Sequence, residues 1–93
     1  MRRAAGRATA LLRALANPDR LLLLCQLTHG EKCVSDLEGQ LDIRQPTLSQ
    51  QLAVLRRERL VATRREGKRI YYRIRSADVQ RVLRSLYSIY CRS

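Results

Sequence analysis

A chain of 93 residues makes one domain at the small end of the usual range, with room for only a modest core. Nineteen Lys+Arg against eight Asp+Glu give a formal charge of +11, all but two of the cations are arginine, and such an excess favours a polyanion partner: DNA, RNA or an anionic membrane surface. No apolar run reaches the roughly eighteen residues of a membrane span, and Cys25, Cys33 and Cys91 are too sparse and too odd in number for the disulfide framework of a secreted mini-protein, so a cytoplasmic chain with free or regulated thiols is expected.

The N-terminus is basic and alanine-rich, like a targeting peptide, but Arg7 and Arg13 break its apolar stretch and no cleavage-like break follows. Residues 4–16 therefore read as a first helix. Asn17-Pro18 interrupts it: Asn17 is placed to cap the next helix, and Pro18 to stand in its first turn, where a missing N–H costs nothing. That second helix, about 18–28, carries LLLLCQL and is too apolar to be exposed. Within it Cys25 is either small apolar filler or a thiol kept for chemistry.

His29-Gly30-Glu31-Lys32 reads as a turn, with Gly30 as helix terminator and His29 as a plain polar turn residue. A short third helix, 34–41, follows Cys33 at the N-cap position with Asp36 three residues on. Asp42-Ile43-Arg44 is a tight connection to a fourth helix, QPTLSQQLAVLRRE, with Pro46 in its first turn. Leu48, Leu52 and Leu55 form its buried stripe, and Thr47, Gln50 and Arg57, flanked by Ser49 and Gln51, face away. Residues 34–58 thus describe a helix-turn-helix, a DNA-reading device. Gln45, Thr47, Ser49 and Gln50 are the candidates for reading base edges, because amide side chains bond adenine bidentately, and Arg44 is a candidate phosphate or base contact.

Residues 61–65 and 69–74 read as two strands turned at Glu66-Gly67-Lys68, a wing within 60–75. Arg64, Arg65, Lys68 and Arg69 surround its tip and are expected to meet phosphates or the minor groove. Ser76 caps a last helix in which Val79, Val82, Leu83, Leu86 and Tyr90 share a stripe. The expected fold is mainly α with a small β-hairpin wing, a winged helix-turn-helix in the order α-α-α-α-β-β-α. Its outer helices, 1–16 and 76–92, have apolar stripes suited to homodimerisation.

ANPDRLLLLCQL, VSDLEGQL, QPTLSQQLAVLRRERLV and TRREGKRIYYRI resemble, in order and spacing, the ArsR/SmtB family of winged-helix repressors. The resemblance implies a homodimer bound to a palindromic, double-stranded operator and released by an inducer. Many members sense metals, but the thiol-rich helix start ELCVCDL of the arsenic and cadmium sensors is EKCVSDL here, with Ser35 in place of the second cysteine. The zinc sensors' histidines on the last helix are also missing, leaving Asp78 alone. No metal site or cofactor is therefore expected.

The chain is more similar to the persulfide-responsive BigR/SqrR/HlyU subgroup, which shares a cysteine in a leucine-rich second helix and another near the end of the last. Those positions are Cys25 and Cys91 here. The resemblance implies that a hydropersulfide or related oxidant links the two thiols through a disulfide or polysulfide and that DNA is released. A direct disulfide needs Cα atoms roughly 4.4–6.8 Å apart, whereas extra sulfur atoms tolerate more. Cys33, in a loop and so accessible, is a metal-site relic, a cap or an accessory thiol, and Cys91 could instead be a frayed terminal thiol or pair between subunits. Other readings are a metal sensor with a non-standard site of Cys25, Cys33 and Cys91, and a constitutive architectural DNA binder. A thiol enzyme is not expected, since no CxxC motif or histidine-paired cysteine is present.

Overall fold

The computed structural model describes residues 1–91. Helix α1 spans Arg2–Leu15, α2 Pro18–Leu27, α3 Val34–Gln40, α4 Thr47–Arg57 and α5 Ala77–Tyr90, with strands β1 Lys32–Cys33, β2 Val61–Glu66 and β3 Arg69–Ile74. The fold is the expected winged helix-turn-helix, mostly helical with an antiparallel hairpin. Among the described residues no helix is long and apolar enough to cross a membrane.

Helix α2 is the centre. Leu23, Leu24 and Leu27 are fully buried and join Leu37 of α3, Leu48, Leu52 and Leu55 of α4, and Val79 and Leu83 of α5 in one core. Its start is fixed as the sequence predicts: Asn17 Oδ1 accepts from the Arg20 backbone N–H at 3.1 Å, and Pro18 opens the first turn. Arg20 then ties three elements together. Its guanidinium donates to the carbonyls of Ala14 (2.7 Å) and Arg13 (3.1 Å) in the last turn of α1, and to Gln51 Oε1 of α4 (3.1 Å).

Three differences from the sequence reading have physical causes. First, Lys32–Cys33 is not part of a turn but a strand, pairing antiparallel with β3 (Lys32 opposite Tyr72, Cys33 opposite Tyr71). The sheet order is β1-β3-β2, and the element order gains one strand before α3. A two-residue strand has no periodicity of its own, and only its distant partner defines it. Second, the connection from α3 to α4 is longer than Asp42–Arg44. Half-buried Leu41 and buried Ile43 pull it into the core as extended chain, and Pro46 stands at the N-cap, not in the first turn, with its carbonyl accepting from Gln50 N–H at 3.1 Å. Third, α5 ends at Tyr90 with Cys91 as its cap; residue 92, the expected end of that helix, lies outside the described residues.

Helix α4 closes with Arg59 at φ 60°, where Leu60 N–H reaches Leu55 O and Arg59 N–H reaches Arg56 O, both at 3.0 Å. This reversal sends Leu60 and Val61 back into the core and launches β2. At the far end Gly67 (φ 61°) and Lys68 form a two-residue turn, tighter than the expected three, since Glu66 pairs with Arg69. Ser76 Oγ accepts from Asp78 N–H at 3.1 Å and starts α5.

Truncating Leu24, which is fully buried, should show how far the fold depends on α2. Leu24→Ala is expected to cost about 2–5 kcal/mol in equilibrium denaturation, against about 1 kcal/mol for Asn17→Ala at the cap.

Candidate functional site

Helix α4 turns Leu48, Leu52 and Leu55 inward, so Ser49 and Gln50 are left exposed, with Thr47 half-buried at the start. Arg44 and Gln45 lie exposed just before it. Gln45 is already occupied: its Oε1 accepts from Ser49 N–H at 3.1 Å, as a cap would, and its Nε2 donates to Glu38 Oε1 of α3 at 3.2 Å. Gln45 thus bridges α3 and the start of α4, whereas the side chain of Gln50 has no hydrogen-bond partner among the described residues.

Ser49, Ala53, Arg56 and Arg57 of α4 and Tyr72 of β3 line a groove of about 460 Å³ between this helix and the wing. Arg56 was not singled out from the sequence. The signal was present, because residues 49, 53 and 56 follow at i, i+4 and i+7 on one helical stripe.

The wing's four candidate cations differ in their surroundings. Arg65 Nε donates to Gly67 O at 3.1 Å, and Lys68 and Arg69 are exposed at the turn. Arg64 is bound on several sides. Its Nε is 2.9 Å from both carboxylate oxygens of Glu31, a second nitrogen also meets Glu31, a third meets Glu66 Oε2 at 2.7 Å, and its guanidinium carbon lies 4.6 Å from the Tyr71 ring centroid. The hydrogen bond from Arg64 holds the Glu31 carboxyl below its usual range.

The three cysteines separate clearly. Cys33 is not the accessible loop thiol expected: it is 3 % exposed, inside the sheet. Its backbone N–H and its Sγ both meet Asp36 Oδ2 at 3.2 Å, and Sγ lies 3.1 Å from Ser35 Oγ, so it caps α3. Burial follows from β1, which places it against β3. Cys25, by contrast, is half-buried, on the α2 face turned toward α5. It lines a cleft of about 360 Å³ with Thr28, His29, Leu83, Arg84 and Tyr87. His29 lies in a turn, as the sequence predicts, and also lines the cleft beside the thiol.

Cys91 is exposed and follows Tyr87 by one turn, its N–H donating to Tyr87 O at 2.9 Å, so it continues the Leu83–Tyr87 stripe. Burial pushes the Cys25 thiol pKa up, and the charge of Cys91 adds to that push. The fold thus turns Cys25 toward α5, the helix that ends at Cys91, and leaves Cys33 elsewhere, at the start of α3. Among the described residues no group of three or more His, Cys, Asp or Glu stands where it could hold a metal ion.

The profile described as "Bacterial regulatory protein, arsR family" matches residues 17–63. The biofilm growth-associated repressor of Agrobacterium fabrum is 50% identical over 98% of this chain and 78% of its own length. The crystal structure of the transcriptional repressor BigR from Xylella fastidiosa superposes with a TM-score of 0.93 at 45% identity, covering 100% of this chain and 95% of that one. HlyU of Vibrio cholerae, a transcriptional activator, is 39% identical over 100% of this chain and 86% of its own length; its structure covers 99% of this chain and all of that one at a TM-score of 0.95. A DNA-binding domain from Mycobacterium bovis, described as homodimeric, is similar at 34% identity with a TM-score of 0.80, over 92% of this chain and 80% of that one.

The arrangement of the thiols predicts an order of alkylation in the reduced protein: Cys91 first, Cys25 more slowly, Cys33 only on unfolding. Because a neighbouring negative charge raises a thiol pKa, Cys91→Ser should lower the Cys25 titration midpoint, yet leave it above an ordinary thiol, since burial remains. An unchanged midpoint, read from the pH dependence of alkylation, would contradict that influence of Cys91.

Proposed function

We propose a function from one premise: this chain belongs to the arsR family of bacterial regulatory proteins. As a member it is a DNA-binding transcriptional regulator with a winged helix-turn-helix fold. Our reading is that it acts as a homodimeric repressor on a palindromic operator and that a Cys25–Cys91 dithiol senses reactive sulfur species. The observation that supports the sensing role is the place of Cys25: it is half-buried in a cleft walled by Leu83, Arg84 and Tyr87 of α5, the helix that ends at exposed Cys91 one turn past Tyr87, while Cys33 is buried at the start of α3.

In this reading residues 1–16 and 76–92 form the dimer contact. Leu12 (59 % exposed) on α1 and Ile89 (67 %) and Tyr90 (79 %) on α5 supply apolar surface that the single chain leaves uncovered. A two-fold axis through these helices would set two copies of residues 34–58 about 34 Å apart, one turn of DNA. Thr47, Ser49 and Gln50 then face base edges, and Arg44, Arg65, Lys68 and Arg69 meet phosphates or the minor groove, with residues 60–75 as the wing. Unpaired cysteines suit a reducing, cytoplasmic setting.

The redox step balances as follows. A hydropersulfide gives its outer sulfur to the more exposed Cys91, leaving as a thiol and forming a persulfide there. A second hydropersulfide gives its outer sulfur to Cys25 in the same way and leaves as a thiol. The outer sulfur of the Cys25 persulfide then attacks the Cys91 sulfur, displaces the outer sulfur there as hydrogen sulfide, and closes a bridge of three sulfur atoms. The bridge fixes α2 to α5 and favours a state with lower operator affinity.

Mass spectrometry of the bridged peptides tests the sensor. Hydropersulfide is expected to link Cys25 to Cys91 with added sulfur, and hydrogen peroxide to link them far more slowly; an equal yield of plain disulfide from peroxide would contradict selectivity for sulfur species. For the DNA face, Gln50→Ala should change base preference at one position by about 1–3 kcal/mol. Lys68→Gln should weaken binding to every sequence and reduce the salt slope by about 1. Both are read from binding isotherms on an operator and a scrambled duplex.

A further inference from the structure

The wing has little core of its own. Along β2 only Val61 is buried, and exposure increases toward the tip. A two-stranded ribbon is marginally stable alone, and β1 pairs with only two of its residues. Val61, Tyr72 and Ile74 pack the base of the hairpin on the core, and nearer the tip Arg64 is the side chain that hydrogen-bonds outside the hairpin among the described residues. Glu31, which it grips with a two-pronged contact, lies in the segment between α2 and β1. Glu66 on its own strand holds a third nitrogen, and Tyr71, the cross-strand partner of Arg64 and also of Cys33, covers its face.

We propose that Arg64 is a positioning residue for DNA binding: Glu31 and Glu66 hold it so that the wing keeps one angle to α4, and it is not a phosphate contact. Two arguments support this. All three guanidinium nitrogens already donate to a carboxylate and the Tyr71 ring covers one face, so a phosphate would have to compete with two acidic partners. Moreover, a chain of charge +11 with only eight acidic residues places two of them on this one arginine. If the residue served to attract DNA, that pairing would cancel the attraction. Arg65, Lys68 and Arg69 have no carboxylate partner among the described residues and remain available for phosphate. Because the side chains of Arg64 and Glu31 are 44 % and 31 % exposed, the clamp acts on geometry more than on global stability.

The proposal rests on the DNA-binding reading and is independent of the thiol chemistry. The test measures affinity for a random-sequence duplex over a salt series, using the full chain and its Glu31→Gln, Arg64→Gln, Arg64→Lys and Lys68→Gln variants. A phosphate contact contributes about 0.9 to the salt slope. Lys68→Gln should lose that amount, while Arg64→Gln should lose affinity by about fivefold or more with the slope unchanged. Arg64→Lys, which keeps the charge but not the fork, should behave like Arg64→Gln.

Glu31→Gln makes the protein more positive, yet should bind more weakly, with faster amide exchange in β2 and β3. Tighter binding by Glu31→Gln, or a slope reduced equally by Arg64→Gln and Lys68→Gln, would overturn the proposal. Failure of the unaltered chain to bind any duplex would instead remove the DNA-binding reading itself.

Discussion

Burial of the α2 leucines determines nearly everything else. Leu23, Leu24 and Leu27 share one core with Leu15 of α1, Leu37 of α3 and Leu48, Leu52 and Leu55 of α4, and turning those three α4 leucines inward presents the open face of α4 outward. With those faces committed, Cys25 falls on the remaining side, at the edge of α5, half in the core and half in a cleft. One packing arrangement therefore places both the DNA-reading surface and the thiol. A bridge that displaced α5 along α2 would push on the helix against which α4 is seated, and close-packed interiors respond to such strain by shifting whole elements.

The acidic residues follow a common pattern. Asp36 holds the start of α3, Glu38 holds Gln45 before α4, and Glu31 and Glu66 hold Arg64 in the wing. Each of these carboxylates fixes the geometry of the helix-turn-helix or the wing, and none of them is paired with Arg44, Arg56, Arg57, Lys68 or Arg69. Arg44, Arg56, Arg57, Lys68 and Arg69 thus keep their charge along α4 and the hairpin tip, where a duplex would lie.

Much of the fold was legible because its signals are local. The Asn17 and Ser76 caps, the Leu48/Leu52/Leu55 stripe and the turn at Gly67 each depend on a few neighbouring residues, and each holds. What escaped depends on distant partners. Strand β1 exists because β3 lies beside it, and that pairing buries Cys33, which in sequence resembles an accessible loop thiol. Arg64 reads as one of four tip cations until the fold places Glu31 beneath it. Pro46 precedes its helix because Ile43 is drawn into the core. His29 and Arg84 enter the thiol cleft only once α2 and α5 are packed together.

The central claim is that linking Cys25 to Cys91 releases operator DNA, and operator affinity before and after hydropersulfide treatment tests it most directly. The account predicts a loss of about tenfold or more, near 1.4 kcal/mol, reversed by reductant and absent from Cys25→Ser and Cys91→Ser. Equal operator affinity in the reduced and bridged proteins, or an undiminished response in either single-cysteine variant, would contradict it.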